Sequence, residues 1–570
     1  MPARDLGHEA AAGHPIEQAA APTLSIGEAD LRRLARPASI AMAVGLVAYL
    51  ATTWSGYGIA ENEAQRQIYG RLVAAFLRSG MTDADLLRQA AQIGGGGLFD
   101  LLAALLEPVW HGSVWDMRHL LGASFGLAGM LAVWRLAKLL GGDTAALAAV
   151  VILTLTGAWS GALFTHTAEI PLAACQCWAL YLLTRLIADL PRLEPSLALG
   201  FGSSAGAALA IADSGWLMPL CLTVCLAEAA RREGPGGIAR SGRWLGALLP
   251  GIVVGLGLVL LGRPTLWPGI AGPEVGAVVP TLVDGRLLPS SAVPRSYLHE
   301  YLVVKLPELM LIGLGLALGG RPWRTAERPD GIGERRIMSR RERPLHLPLA
   351  LAIVLPIAYA WVMRPALADG LRQFLFLLPP LAVAAALGWR VFWQALRGNP
   401  AAAWLMASVA GLLVAIHITT LVHLQPYGHT FYNSLAGGLR GAAYGWVLDY
   451  NGSSLRESAQ FLDRYLESVA ATGAGGRSRP VPVQVCGEPE QVRAAMPRYF
   501  EPGVDAADAE FLITAGRPGC VVPRGATVIH TVTRRGTVLG QVVDLRTSRR
   551  GARSAPADDY STISAGLTSP

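Results

Sequence analysis

Residues Tyr57 to Gly70 read YGIAENEAQRQIYG and set Glu61 and Glu63 on either side of Asn62, just past the apolar run ASIAMAVGLVAYLATTW. A third acid, Glu169, stands in HTAEIP at the end of another apolar run. Carboxylates brought from two loops to one cavity can take a proton from an acceptor hydroxyl and orient it. Each can equally be a solvated loop residue, because glutamate is seldom buried without a partner. Arg118, Arg295, Lys305 and Arg372 lie at the ends of apolar runs. There a cation either binds an anion, bidentately in the case of arginine, or reaches back to the membrane surface. His417 and His423 fall on one apolar run, where a lone histidine usually packs or bonds between helices. No group of residues has the spacing of a metal site, so no metal is expected.

The elements that must position these residues are membrane helices. Of 570 residues, 52% are hydrophobic and 16% charged, and the mean hydropathy is +0.39. A soluble chain carries nearer a quarter charged residues. Apolar runs of spanning length recur near 39–54, 119–140, 144–163, 171–188, 196–212, 216–230, 244–262, 301–319, 347–363, 374–389 and 401–424. They predict an α-helical polytopic membrane protein with about eleven transmembrane helices. The net charge of +7 comes from arginines clustered in short connections, such as LRRLARP, RREGPGGIARSGR and RPWRTAERPDGIGERRIMSRRERP. This is a topology signature rather than a nucleic-acid stripe, and it places those loops in the cytoplasm. An odd number of spans then puts the C-terminal tail outside.

The resulting division is a cytoplasmic, largely disordered N-terminus over 1–37, without a cleaved signal peptide, and a transmembrane domain over 38–424. External loops fall at 55–118 and 263–300. A small extracytoplasmic α/β tail spans 425–546, and a disordered end spans 547–570. In the first loop, AQRQIYGRLVAAFLRS and GLFDLLAALLEPVW read as interfacial helices. In the tail, SLRESAQFLDRYLESV has a helical period, whereas PVPVQVCG, EFLITAG, CVVP and ATVIHTVTRRGTVLGQVVDL read as short strands. Cys175, Cys177, Cys221 and Cys225 lie in apolar runs and are expected to pack as small hydrophobes. Cys486 and Cys520 in the tail are either a disulfide or two free thiols.

The order of several stretches resembles the GT-C glycosyltransferases, membrane enzymes that use polyprenyl-phosphate sugars, in their family 39 and aminoarabinose-transferase-like branch. The stretches are GIAENEAQRQIYG, GGLFDLLAALLEPV, DMRHLLGASFGLAGMLAVWRLAKLLGG, ALFTHTAEIPLA, VPRSYLHEYLVVKLPEL, GLRQFLFLLPPLAV and QPYGHTFYNSLAGGLRGAAYGWVLDYNGSSLRES. The likeness implies a GT-C-like fold and a bacterial inner-membrane location. It also implies transfer of a sugar from a polyprenyl-phosphate donor to an envelope glycan, lipid or protein on the extracytoplasmic face. No cofactor is expected, since the lipid-linked sugar is a substrate. The likeness assigns Glu63, Glu61 and Glu169 to catalysis. Asn62, Arg118, His119, Tyr297, Lys305 and Arg372 are assigned to substrate binding, with Arg372 on the phosphate. Departures are visible. Asn62 occupies the place of an expected aspartate base. Thr167, Ala168 and Glu169 replace Pro-Lys-Asp. Asp213 and Ser214 stand where a cation is usual, and Asp449, Tyr450 and Asn451 replace Asp-Tyr-Trp. They leave open a second reading, a scaffold that binds a lipid-linked glycan without turnover. A transporter ranks last, because no paired broken helices or repeat symmetry occur.

Overall fold

The structure is a computed structural model that describes residues 28–93, 96–190, 193–233, 235–268, 270, 279–319, 345–471, 480–501, 508–516, 520 and 522–546. Residues 1–27, 547–570 and the arginine-rich segment at 320–344 lie outside the described residues, whereas residues 28–37, expected to be largely disordered, are part of the first helix, Glu28–Thr53.

Among these residues six helices are long and apolar enough to cross a membrane, and a seventh qualifies if a bent pair counts as one span. The expected eleven are therefore not present as eleven long helices. Three of the expected spans, Pro195–Ile211, Leu217–Glu233 and Leu347–Met363, are helices of only 17 residues. That is the lower limit for a crossing. The expected span at 301–319 is broken. Tyr297–Lys305 and Glu308–Gly319 meet at 116°. Pro307 lies at the corner, where its ring disfavours helix in the residue before it.

Two more expected spans appear as one element, Val114–Thr154, interrupted at Gly142 with φ 78° and ψ −173°. A continuous helix of that length would extend about 60 Å. The contacts show instead that the chain doubles back. Arg36 pairs with Asp143 at one end of the first helix, Glu28–Thr53. At the other end Trp54 meets Trp110, and Tyr57 stacks on Phe164 at 4.3 Å. The stretches 114–141 and 143–163 thus lie antiparallel, joined by one glycine. Its backbone angles are closed to residues that carry a Cβ.

Lipid offers apolar side chains little reason to leave it, so helices associate in the membrane through close packing. The helix Pro195–Ile211 shows this against Pro235–Gly262. Gly202 and Gly206 face Gly251 and Gly255, and a Cβ on Gly202 or Gly206 would overlap the opposing backbone. The spacing is Gly-x-x-x-Gly on both helices.

The two helices expected in the first loop form, over Glu63–Arg78 and Leu98–Leu106. They bury Tyr69, Val73, Ala74, Leu101 and Ala104 against each other. The loop after the seventh expected span also carries a hairpin that was not anticipated, Pro280–Val283 with Arg286–Pro289. Its turn is Asp284–Gly285, both with positive φ, which suits the twist of a two-residue hairpin.

The tail is an α/β unit. Its sheet runs in the order Phe500–Glu501, Val481–Cys486, Phe511–Ala515, Thr537–Asp544, Thr527–Arg534. The first three strands are parallel and the last two form an antiparallel hairpin. The helix Ser454–Ala471 covers the sheet, burying Leu455, Ala459 and Leu462 against Val483, Phe511, Ile513 and Val542. Cys520, Val522 and Pro523 are not in a strand, contrary to the reading of CVVP. Cys486 and Cys520 form a disulfide, and the four membrane cysteines are free.

Gly142→Ala is expected to destabilise the protein by about 1–3 kcal/mol, the cost of forcing a Cβ into that backbone region. Gly45→Ala, on an open helix face with nothing within 4 Å, is the control and should leave the unfolding temperature unchanged. Thermal unfolding in detergent compares the two.

Candidate active site

Two clusters of ionised groups meet at one end of the membrane helices. In the first, Glu63, Asp100 and Arg118 are sealed from solvent, and Arg66 at its edge is 28% exposed. Asn62 ends the turn with φ 65° and is exposed, and the next residue starts the helix Glu63–Arg78. That reversal turns Glu63 inward, where only 1% of it is exposed. Its Oε2 accepts from the Ala60 backbone N–H at 3.0 Å. Arg118 Nε approaches Oε1 at 3.4 Å, and His119 Nε2 approaches Oε2 at 3.4 Å. Arg118 also donates from Nη2 to Asp100 Oδ1 at 2.7 Å, and Arg66 donates to Asp100 Oδ2 at 2.9 Å. The guanidinium of Arg118 lies 5.5 Å over the Phe99 ring. Arg118, His119 and Asp100 are all fully buried. Two arginines and two acids sum to zero charge, which is how a buried ionic group of this size is tolerated.

Burial opposes ionisation of Glu63, and it is outweighed by His119, Arg118 and the Ala60 N–H, so its carboxyl lies below the usual range. A folded-state value below the unfolded one contributes stability above the unfolded pKa and loses it as pH falls.

The second cluster is partly open. Arg372 Nε donates to Glu169 Oε1 at 2.7 Å, and Nη1 donates to Asp369 Oδ2 at 3.4 Å. All three side chains keep 17–19% exposure. Glu169 begins the helix Glu169–Asp189, and Arg372 begins the stretch that leads into Leu378–Ala395. Arg66 lies within electrostatic reach of Glu169 and so joins the two clusters. Arg118 Nη2 also approaches Thr167 Oγ1 at 3.4 Å, two residues before Glu169.

Behind the second cluster is a buried polar layer, of which the sequence had marked Asp449 and Tyr450 only as part of an altered motif and had not marked His166 or His429. His166 Nε2 lies 2.8 Å from Tyr450 Oη, and Nδ1 lies 3.0 Å from Thr165 Oγ1. His429 Nε2 lies 3.0 Å from Asp449 Oδ1. Asp449 accepts in addition from the backbone N–H groups of Ser453 and Ser454, at the start of the tail helix. Burial pushes His166 down to about 3; Glu169 opposes the shift, and Arg372 and His429 reinforce it.

The remaining expected residues fall elsewhere. Glu61 is half-buried beside Glu488 of the tail, whose carboxylate accepts from the Asn62 N–H. The Tyr297 hydroxyl accepts from the Gly370 N–H at 2.9 Å, which ties the loop bearing Asp369 to the membrane. Lys305 is buried, donates to the His429 carbonyl at 2.8 Å and sits 3.7 Å over the Tyr432 ring. Arg295 covers the Trp361 ring at 5.2 Å. Asp213 pairs with Arg263, so a cation from the seventh expected span occupies the place where the fifth lacks one. Asp100 and Arg66 were missed, although an aspartate inside the apolar run GLFDLLAALL was the available signal.

Arg118→Ala leaves Glu63 and Asp100 facing each other without their shared cation and should cost about 3–5 kcal/mol. For Glu63→Gln the expected signature is in the pH profile. The stability advantage of the wild type over this variant should be full above about pH 5 and should vanish as pH falls through the acid range. Denaturant unfolding followed across pH measures it.

No protein-family model matches the chain, and no curated protein matches it. Solved structures do. The fold is similar to the apo crystal structure of ArnT from Cupriavidus metallidurans, with a TM-score of 0.46 and 12% identity, over 91% of this chain and 100% of that one. For ArnT from the same organism bound to undecaprenyl phosphate the TM-score is 0.43 at 12% identity, over 88% and 97%. For the apo oligosaccharyltransferase of Archaeoglobus fulgidus it is 0.38 at 12% identity, over 80% and 66%.

Proposed function

We propose that this protein is an integral membrane glycosyltransferase. It takes a sugar from a polyprenyl-phosphate donor and passes it to an envelope acceptor, a glycan, lipid or protein, on the extracytoplasmic side. The observation that carries the reading is the partly open ion pair of Arg372 with Glu169 at the ends of two membrane helices, which the arginine pattern of the sequence would place outside. Sugar transfer from a lipid phosphate builds negative charge on the leaving group, and a fixed guanidinium is suited to receive it. The contact to Asp369 at 3.4 Å is the weaker of the two and the one a phosphate would replace. Glu169 is then the acid nearest the reacting atoms and takes the proton of the acceptor hydroxyl. Glu63 holds the first loop through Arg118, and Glu61 remains at the rim. The collinear motifs of the sequence support the donor class. The Cys486–Cys520 disulfide supports a tail in an oxidising compartment, outside a bacterial inner membrane, with the N-terminus cytoplasmic.

One observation favours a second reading, binding without turnover. The position expected to hold the base is Asn62, which is exposed at the turn and cannot accept a proton at neutral pH.

Both readings are tested with purified protein and undecaprenyl phosphate. Arg372→Ala should weaken binding about ten- to a hundredfold, the loss of a charged hydrogen bond. Glu169→Gln should leave binding in place and abolish sugar release from a polyprenyl-phosphate sugar. Unchanged binding by Arg372→Ala defeats both readings. Wild-type binding without turnover, with turnover gained by Asn62→Asp, selects the second.

A further inference from the structure

We propose that Tyr450, a residue of the segment leading into the tail, is a positioning residue of the candidate site and holds His166 in one neutral tautomer, with hydrogen on Nδ1 and Nε2 accepting. The proposal rests on the site reading above only for its functional arm.

The geometry is as follows. His166 and Tyr450 are both buried, and Tyr450 Oη lies 2.8 Å from His166 Nε2. On the far side of the ring Nδ1 lies 3.0 Å from Thr165 Oγ1. Each hydroxyl can donate or accept, so a neutral imidazole could sit either way round. Chemistry decides between the two. A phenol is the stronger donor and the poorer acceptor, and an alkyl hydroxyl is the better acceptor. The matched arrangement has Tyr450 O–H donating to Nε2 and Nδ1–H donating to Thr165 Oγ1. Asn451 Nδ2 brings only donors and lies 3.3 Å from both ring nitrogens and 3.5 Å from Thr165 Oγ1, so it offers a ring N–H no acceptor and leaves the choice to the two hydroxyls. The charged and titratable groups facing His166 are Glu169, Arg372, His429 and Tyr450. A neutral ring adds no second cation beside Arg372, so the charge of the Glu169–Arg372–Asp369 cluster is set by those three residues.

Tyr450 is in turn held by its neighbour. Asp449 accepts from His429 and from the first N–H groups of the tail helix, at 3.0, 2.9 and 2.8 Å. The seating of the tail therefore reaches the site through one peptide bond, and the membrane helices alone do not complete this layer.

The test is nitrogen NMR on full-length protein labelled at histidine and embedded in lipid nanodiscs. His166→Gln identifies the resonance. The expected wild-type signal is a single neutral tautomer, protonated at Nδ1 and hydrogen-bonded at Nε2, unchanged over about pH 5 to 8. Tyr450→Phe keeps the ring volume and should lose the hydrogen-bonded Nε2 signature and mix the tautomers. Thr165→Val should disturb the Nδ1 signal instead. A wild-type ring that is cationic, or protonated at Nε2, overturns the proposal, as does an unchanged His166 signal in Tyr450→Phe. The wild-type spectrum decides even if a variant fails to fold. In the functional arm, Tyr450→Phe should weaken undecaprenyl phosphate binding several-fold. If the wild type shows the expected tautomer but does not bind that lipid, the donor reading fails and the tautomer assignment stands.

Discussion

The outer half of the molecule depends on the guanidinium of Arg118. It comes from a membrane helix and reaches two acids on two different loop helices, Glu63 and Asp100. Neither loop helix is long enough to hold itself in place through its own backbone bonds. Their mutual apolar contact is modest, a handful of small and medium side chains. Position along the membrane surface therefore comes from the ions. Taking a guanidinium out of water costs several kcal/mol, which is recovered only when its partners are close and correctly placed. An arrangement with that requirement has one good geometry, and the turn at Asn62 follows from it. The chain must reverse at that point to deliver Glu63 to Arg118.

The same constraint separates two jobs that a row of acids in a sequence cannot distinguish. Glu63 is neutralised from three sides and closed to solvent, so it serves the architecture. Glu169 has one strong partner and an open edge. The chemistry proposed for the site rests on that asymmetry of solvent access, since both acids are equally acidic groups by type.

Much of this was legible in the residues. The helices of the first loop were marked by their apolar period, and the α/β tail by its alternation and turn residues. Glu169 and Arg372, two hundred positions apart, were both recognised as polar groups at helix ends, and they form an ion pair. What was not legible depended on three-dimensional meeting. The reversal at Gly142 was implied by the separate runs at 119–140 and 144–163, whereas its tightness, a single glycine, was not. The break at Pro307 was signalled by Lys305, Pro307 and Glu308 inside the run, but the run was read as one span by its length. The layer of His166, His429, Asp449 and Tyr450 joins the short loop at 161–168 to a segment more than two hundred and fifty residues later. No periodicity reports a partnership of that kind, and the altered motif at Asp449 suggested loss where the structure shows a helix cap.

The single-glycine connection at Gly142 has a consequence for how the chain enters the bilayer. A membrane insertion machine that releases helices one at a time needs a connecting loop long enough to wait in water while the next span arrives. Between 141 and 143 there is no such loop. The two arms are therefore expected to enter the bilayer together, as a hairpin already side by side. Asp143 marks the corner of that hairpin and is held there by Lys138 and Arg36, the kind of cations that set the orientation of membrane helices.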